Sequence, residues 1–190
     1  WDSAWNSSSP GDPNEINVLY MDWDADYLYV GIQGRVKGNS WLLYLDTDFG
    51  GPNGQTNLTA ISSWERGATF SGPGFKPDIQ MGAYQHQSVY DGQSLWRLTS
   101  PTTAVDLSSQ AIMAFDPNHL NGNNGGSELA IPWDVLYGLG AGQVPAGTKI
   151  AAVASVCWDP EPGGELGGDV CPNNESATLP AVDNRCMVTV

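Results

Sequence analysis

Residues 39–57 read NSWLLYLDTDFGGPNGQTN and join an apolar run to an acidic, glycine-rich loop. The run, residues 41–45, contains only aromatic and aliphatic side chains, and glycine and proline follow it within the same stretch. Short apolar runs bounded in this way are typical of buried β-strands. The stretch therefore predicts a central strand of a β-sheet fold, with a polar loop at its end.

The loop after this run supplies side-chain oxygens that suit a hard cation. Calcium is bound by six to eight oxygens at about 2.3–2.6 Å, from carboxylates, amides, backbone carbonyls and water. The predicted calcium ligands are Asp46, Asp48, Asn53, Gln55 and Asn57. The loop is not a full EF-hand, because it lacks the third acidic position and the glutamate at position twelve. The alternative is that Asp46 and Asp48 are solvated turn residues.

Length and charge restrict the classes of function. The chain has 190 residues, which suits one domain over residues 1–190, and its formal net charge is −14. A surface this acidic repels nucleic acid and anionic membranes, so neutral ligands and cations remain as partners. No apolar run approaches the roughly 18 residues of a membrane-spanning helix. We therefore expect neither nucleic-acid binding nor membrane insertion.

The frequency of turn formers and aromatics favours an all-β fold. Glycine occurs 23 times, proline 13 times and tryptophan 8 times, while charged residues make up only 15% of the chain. The pattern predicts about nine or ten strands, among them a hairpin of residues 15–23 and 27–34, and a short helix over residues 133–137. Asp91 and Gly92 are predicted to form a two-residue hairpin turn. The predicted fold is an antiparallel β-sandwich, jelly-roll or immunoglobulin-like, with one short helical turn.

Two further groups of acidic residues have an open role. The first surrounds the predicted hairpin turn and comprises Asp22, Asp24 and Asp26. Aspartate in a turn also accepts hydrogen bonds from nearby backbone N–H groups, so we favour turn formation over metal binding there. The second group lies in a late glycine-rich loop and comprises Asp159, Glu161, Glu165 and Asp169.

The cysteines predict a disulfide rather than a zinc site. All three lie in the C-terminal fifth of the chain, and their spacing contains no C-x-x-C pair. In a secreted chain one disulfide and one remaining thiol is the expected count. We predict Cys171, in a loop, as one partner, bonded to either Cys157 or Cys186. Three free buried thiols are the alternative.

The beginning of the chain leads to an expectation about location. It starts at Trp1, with neither a methionine nor a charged leader. We expect a processed product or an excised piece of a longer protein. Together with the cysteines and the composition, this predicts a secreted protein that is extracellular or held at the cell surface.

Catalytic motifs are absent from the sequence. His86 and His119 are the only histidines, and they form no H-E-x-x-H pattern. There is also no G-x-S-x-G sequence and no glycine-rich phosphate loop. Carboxylates are abundant, so counting them does not exclude a glycosidase pair. We predict that the protein is not an enzyme.

Aromatic side chains in loops and near strand ends predict sugar binding. The flat apolar ring of tryptophan or tyrosine stacks on the C–H face of a sugar, while its polar edge reaches water. The predicted ligand-binding residues are Trp64, Trp96, Trp158, Tyr84 and Tyr90, whereas Trp41 and Trp133 are predicted to be core residues. Packing in the core is the alternative for each of the five.

Three N-x-S/T sequons predict glycosylation in a host that performs it. They begin at Asn6, Asn57 and Asn174.

Four segments occur in an order that resembles a known family. They are DADYLYVGIQG, GNSWLLYLDTDFGG, GFKPDIQMGAY and ELAIPWDVL. Together they resemble the secreted bacterial β-sandwiches of the DOMON-like group, particularly the family 9 carbohydrate-binding modules and the C-terminal domain of glucodextranase-type enzymes. The resemblance spans about residues 16–174.

The resemblance implies a jelly-roll-like sandwich, structural calcium and, often, sugar binding. By position, Asp46 and Asp48 match the acidic strand end of that family. Trp133 matches its tryptophan at the junction of strand and helix, which is a packing residue. The stacking tryptophans of the family match no position of this chain securely.

These observations lead to two hypotheses. The first is a non-catalytic extracellular β-sandwich that calcium stabilises and that binds a polysaccharide or another glycan. The alternative is a structural subunit of a bacterial surface layer or extracellular filament. In that case copies of the chain would bind one another through the remaining cysteine and through strand edges.

Overall fold

The computed structural model describes residues 15–36, 40–58, 69–86, 89–116, 125–157, 169–172, 181–182 and 184–190. Within these ranges the strands are β1 Glu15–Trp23, β2 Tyr27–Arg35, β3 Ser40–Asp46, β4 Thr69–Phe70, β5 Ile79–His86, β6 Val89–Ser100, β7 Thr103–Asp106, β8 Ile112–Phe115, β9 Gly125–Pro132, β10 Lys149–Cys157, β11 Asp169–Cys171, β12 Ala181–Val182 and β13 Cys186–Thr189. A 3-10 turn covers Ser108–Gln110, and the helix α1 covers Trp133–Tyr137. The predicted all-β class with one short helix is confirmed.

The strands form two antiparallel sheets that face each other. Sheet A has the order β1-β2-β9-β8. Sheet B has the order β10-β3-β5-β6-β7, and both β11 and β13 pair with the free edge of β10. A short parallel pair, β4 with β12, lies outside both sheets. This arrangement of two sheets is a β-sandwich.

The main hydrophobic core lies between the two sheets. Alternate residues of each strand contribute to it, because successive side chains of a strand point to opposite faces. Sheet A contributes Leu28, Val30 and Ile32 from β2 and Leu129 and Ile131 from β9; sheet B contributes Trp41, Leu43 and Leu45 from β3 and Ile79 and Met81 from β5. Burying one such side chain stabilises the fold by about 1.5–3 kcal/mol.

Sheet B is buried on its outer face as well. There Leu42 and Tyr44 of β3 belong to a second cluster, which also contains Phe70 and Phe75. The rings of Tyr44 and Phe70 pack edge to face with their centroids 4.9 Å apart. Every residue of β3 is therefore buried. Burial on both faces explains why residues 41–45 are continuously apolar instead of alternating.

The helix α1 has the predicted bounds and a packing tryptophan. Trp133 is almost fully buried, and its indole Nε1 donates a hydrogen bond to the backbone oxygen of Asp24, 3.0 Å away. Gly138 ends the helix in the left-handed conformation, with φ of 68°. Trp41 is also buried. The prediction that Trp41 and Trp133 are core residues is confirmed.

The predicted hairpin turn at Asp91 and Gly92 is wrong. Both residues lie inside β6, which runs without interruption from Val89 to Ser100. The central part of β6 pairs with strands on both sides, since Trp96 is opposite Gln80 of β5 and also opposite Asp106 of β7. Gly92 itself is opposite Tyr84 of β5, so extended pairing with β5 outweighs the local turn preference of the Asp-Gly pair. The strand count was also too low, because β4, β7, β11 and β12 have only two to four residues each.

The described residues give no membrane-spanning helix. The α-helix among them has five residues, which is too short to cross a bilayer.

The strand register brings two of the three cysteines to one place. Cys171 of β11 is opposite Ala154, and Cys186 of β13 is opposite Ala152. Positions 152 and 154 lie on one face of β10, and both cysteines pack against the main core. Burial, with Cys171 as the next cause, raises the pKa of the Cys186 thiol to about 11. Cys171 lies on β11 and not in a loop as predicted, and the structure contains no disulfide between Cys171 and Cys186. The register favours Cys186 over Cys157 as the partner of Cys171; the side chain of Cys157 lies outside the described residues.

We predict that a thiol oxidant such as oxidised glutathione joins Cys171 to Cys186. The two thiols lose two electrons and two protons, which reduce the oxidant to two thiols. Trypsin cleaves after Arg185, so in oxidised protein the peptide of residues 186–190 should stay linked to that of residues 150–185 until reductant is added. Mass spectrometry after N-ethylmaleimide treatment should find the label on Cys157. The bond closes a loop of about 15 residues, so its loss should cost about 3 kcal/mol of stability.

The other predicted pairing gives a different result in the same digest. A bond between Cys157 and Cys171 would release the peptide of residues 186–190 with the label on Cys186. That result would contradict the pairing inferred from the register.

Candidate functional site

Three carboxylates meet at one end of sheet B. Asp46 is the last residue of β3, Asp48 lies two positions further along the chain, and Asp78 directly precedes β5. Because β3 and β5 are antiparallel neighbours, the end of β3 lies beside the start of β5, and the Asp78 N–H donates to the backbone oxygen of Leu45 at 2.8 Å. We call Asp46, Asp48 and Asp78 the acidic cluster.

Asp46 is the most deeply placed member of the acidic cluster. Asp46 is fully buried, and its carboxylate accepts hydrogen bonds from the backbone N–H groups of Lys76 at 2.8 Å and Asp48 at 3.2 Å. Burial, with smaller contributions from the charges of Asp78 and Asp48, nevertheless raises the pKa of Asp46 to about 6. The site therefore disfavours the ionised form of Asp46 unless a cation compensates.

Asp48 leaves one oxygen without a partner. Its Oδ2 accepts hydrogen bonds from the Asn53 side-chain nitrogen at 2.6 Å and from the Asn53 backbone N–H at 3.3 Å. Its Oδ1 is buried and has no hydrogen-bond partner among the described residues. An orphaned buried carboxylate oxygen is costly, and a bound cation is one way to satisfy it.

The carboxylate of Asp78 is bonded to the loop after β3 and lies beside the positively charged side chain of Arg97. Its carboxylate accepts hydrogen bonds from the backbone N–H of Thr47 at 2.8 Å and from the Thr47 hydroxyl at 2.6 Å. The Arg97 guanidinium lies 3.7 Å from Asp78 Oδ2. Burial still raises the pKa of Asp78, because it outweighs these hydrogen bonds and the charge of Arg97.

Two more side chains connect the acidic cluster to its surroundings. The Tyr137 hydroxyl, from α1, donates to the backbone oxygen of Thr47 at 2.6 Å, and burial followed by the Asp78 charge raises the pKa of Tyr137. The Lys76 ammonium donates to the backbone oxygen of Gly51 at 2.6 Å. The loop after β3 is thereby fixed to both α1 and the segment before β5.

A cavity of about 520 Å³ opens beside the acidic cluster. We call it the loop pocket. Its lining combines carboxylates, amides, a guanidinium and an aromatic hydroxyl; it includes Asp48, Asn53, Gln55, Asp78, Arg97, Thr99 and Tyr137. Its volume falls in the range of about 300–1,000 Å³ that is usual for small-ligand sites.

The structure brings together most, but not all, of the predicted calcium ligands. Asp46, Asp48 and Asn53 are linked by hydrogen bonds, and Gln55 lines the loop pocket with Asp48 and Asn53. Asn57 is exposed and forms a β-bridge with Thr69 instead. No group of three or more acidic, histidine or cysteine side chains among the described residues is placed to hold a metal. Calcium also uses amide and backbone oxygens and water, so its binding here stays a prediction.

The structure describes only part of the predicted sugar-binding set. Trp96 lies on β6, is half-buried, and its indole Nε1 is buried without a hydrogen-bond partner among the described residues. Tyr84 and Tyr90 lie on β5 and β6, but their side chains are not among the described ones. Trp64 and Trp158 lie outside the described residues. The sugar-binding role of these five aromatics therefore stays a prediction.

The remaining predicted sites have mixed outcomes. Asp24 Oδ1 accepts hydrogen bonds from the backbone N–H groups of Asp26 and Tyr27, both at 2.8 Å, which is the turn role that we favoured. The acidic loop residues Asp159, Glu161 and Glu165, the histidine His119 and the sequons at Asn6 and Asn174 lie outside the described residues, as does the side chain of Asp169. Asn57, the remaining sequon position, is exposed.

Sequence reasoning missed Asp78, Arg97 and Tyr137. Asp78 had a detectable signal, since it begins an alternating strand, but only the pairing of that strand with β3 places it beside Asp46. Arg97 and Tyr137 come from β6 and α1, and no local pattern links them to the loop after β3.

Comparison with protein-family models, curated proteins and solved structures gives no match for this chain. The resemblance to family 9 carbohydrate-binding modules therefore stays a prediction from four sequence segments.

We predict that Gly54→Ala destabilises the protein more than Gly50→Ala. Both glycines have positive φ, 89° and 85°, so a side chain at either costs about 1–2 kcal/mol of backbone strain. A Cβ at Gly54 would also collide with the backbone carbonyl of Lys76, whereas at Gly50 it meets nothing within 4 Å. If the collision costs about 2 kcal/mol, thermal unfolding should show a melting temperature about 4–8 °C lower for Gly54→Ala than for Gly50→Ala.

Gly50→Ala is the matched control, because it has the same change and similar backbone strain in the same loop. Equal melting temperatures for the two variants would show that the contact between Gly54 and Lys76 does not hold the loop.

Proposed function

We propose that this domain is a non-catalytic, extracellular β-sandwich that binds carbohydrate and that calcium stabilises at the loop after β3. The main support is the orphaned buried Oδ1 of Asp48 next to the carboxylate of Asp46. The proposal is non-catalytic because Asp46 and Asp78 bond to backbone N–H groups and so have structural roles.

The electrostatics of the acidic cluster favour the binding of a cation. Three carboxylates lie close enough that Asp48 and Asp78 raise the pKa of Asp46. Among the described residues, the Arg97 guanidinium forms an ion pair with Asp78 and donates hydrogen bonds to the backbone oxygens of Val135 and Leu136. Asp46 and Asp48 would hold the calcium ion, with Asn53 and Gln55 close by for amide oxygens. A bound divalent ion would offset the mutual repulsion and fix the loop shape.

The loop pocket supports a neutral polar ligand. Amide groups of Asn53 and Gln55, the Thr99 hydroxyl and the Arg97 guanidinium line the same opening. Sugars present many hydroxyl groups, which pair with such mixed donors and acceptors. The strong negative charge of the chain, −14, disfavours anionic ligands over neutral glycans.

We predict that the double variant Asp46→Asn, Asp48→Asn loses the response of the wild type to calcium. Calcium at 100 times its dissociation constant should stabilise the wild type by about 2.7 kcal/mol, or about 5–11 °C in melting temperature. The variant should therefore lose more melting temperature relative to the wild type in calcium buffer than in chelator, where it loses only the hydrogen bonds of the two carboxylates. The matched control is Asp22→Asn, Asp26→Asn, which removes the same charge from exposed residues of the β1–β2 hairpin. Equal losses in both buffers would mean that Asp46 and Asp48 hold no calcium.

The structural-subunit hypothesis has its own support in exposed apolar residues on edge strands. Val105 of β7 is 50% exposed and Ile112 of β8 is 60% exposed. These strands are at the edges of sheets B and A within the described part of the chain. Exposed edges of this kind are able to pair with further copies.

Glycan titration and particle size separate the two functions. A carbohydrate-binding domain should give a saturable heat or tryptophan-fluorescence change with soluble glucan or xylan, and light scattering should show a monomer with and without calcium and reductant. A structural subunit should show no glycan response and should form assemblies that calcium or reductant alters. Silence across a broad glycan panel would contradict the carbohydrate proposal.

A further inference from the structure

The outer face of sheet A holds a depression of about 490 Å³ that is separate from the loop pocket. We call it the tyrosine depression. Its lining includes Tyr20, Gly31, Gln33, Asp116, Gly126 and Glu128. These residues come from β1, β2, β9 and the position directly after β8, and Ala114 and Phe115 of β8 also line the depression, so it crosses the whole sheet.

The strand register explains why the depression exists. Tyr20 of β1 is opposite Gly31 of β2, and Gly31 is opposite Glu128 of β9. Gln33 is opposite Gly126 in the next outward row. The two glycines add no side chain to the face, so the larger residues on either side stand above a floor of backbone.

Tyr20 is an exposed ring that is already oriented. Tyr20 is 50% exposed, and its hydroxyl donates a hydrogen bond to Gln33 Oε1 at 3.0 Å. This bond links the ring of β1 to the amide of β2 across the floor. A ring fixed in this way loses little conformational freedom when a ligand stacks on it.

The polar groups around the ring select the chemistry of the ligand. Gln33 offers an amide, and Glu128, an exposed residue, and Asp116 offer carboxylates. None of the residues lining the depression is a lysine or arginine. An aromatic ring beside an amide and carboxylates suits a neutral polyhydroxylated ring, which stacks through its C–H face and donates its hydroxyl protons to the carboxylates.

We infer that the tyrosine depression binds a neutral oligosaccharide chain, with Tyr20 as the stacking platform and Gln33 and Glu128 as hydrogen-bonding groups. This inference rests on the proposed carbohydrate binding and places the ligand on sheet A, away from the loop pocket and from the five aromatics predicted from sequence. The depression falls within the usual volume range of ligand sites, about 300–1,000 Å³.

Isothermal titration calorimetry with cellohexaose, xylohexaose and mannohexaose tests this placement. Tyr20→Ala should weaken binding of whichever hexasaccharide the wild type binds at least tenfold. Tyr20→Phe keeps the ring and should stay within about threefold of the wild type. Glu128→Ala, a change at an exposed side chain, provides an independent second variant and should weaken binding at least threefold. Val105→Ala on sheet B is the control and should bind like the wild type, and thermal unfolding checks that each variant is folded.

The possible results distinguish this inference from the proposal on which it depends. Wild-type affinity in both Tyr20→Ala and Glu128→Ala, with a loss in Asn53→Ala, would move the glycan to the loop pocket and overturn only the inference. If the wild type binds none of the three hexasaccharides, both ideas fail. Binding of hexalysine in their place, lost in Glu128→Ala, would overturn both and identify a site for basic peptides.

Discussion

The whole architecture depends on a strand that is buried on both faces and ends in a buried carboxylate. The inner face of β3 closes the core between the sheets, and its outer face supports the cluster around Phe70 and Phe75. Asp46, at its end, has no access to solvent and must find donors in the protein. Its carboxylate accepts hydrogen bonds from the backbone N–H groups of Lys76 and Asp48. These bonds hold the loop after β3 and the segment before β5 against the end of the sheet.

Those parts of the fold that follow from local chemistry could be predicted. The apolar run of residues 41–45, the hairpin around Asp24 and the helix after Pro132 each have a pattern that only one element type fits well. The Asp-Gly pair at residues 91–92 shows the limit of such reasoning. Its local preference for a turn is worth less than the cross-strand pairing of β6 with β5, which the Asp-Gly pair by itself does not indicate.

The candidate sites also combine residues whose proximity follows from the local sequence with residues that only the tertiary structure brings together. Asp46, Asp48 and Asn53 lie within one short stretch, so their proximity could be predicted from the chain itself. Arg97 and Tyr137 reach the loop pocket from other elements, and only the tertiary structure brings them there. Alternation along β1 and β2 indicates that Tyr20 and Gln33 point outward. Only the register shows that Gly31 lies between Tyr20 and Glu128 and leaves a depression there.

The pairing of β3 with β10 has a consequence for how the chain folds. Asp46 is opposite Ala151, so more than half of the chain separates the two strands at the centre of sheet B. Closing such a large loop costs entropy before the contacts form, and folds dominated by distant pairings fold slowly. During synthesis β3 emerges long before β10 and must wait with one edge unpaired. The polar, acidic sequence after Leu45 then has a second role, because charge next to an unpaired apolar strand limits its association with other chains.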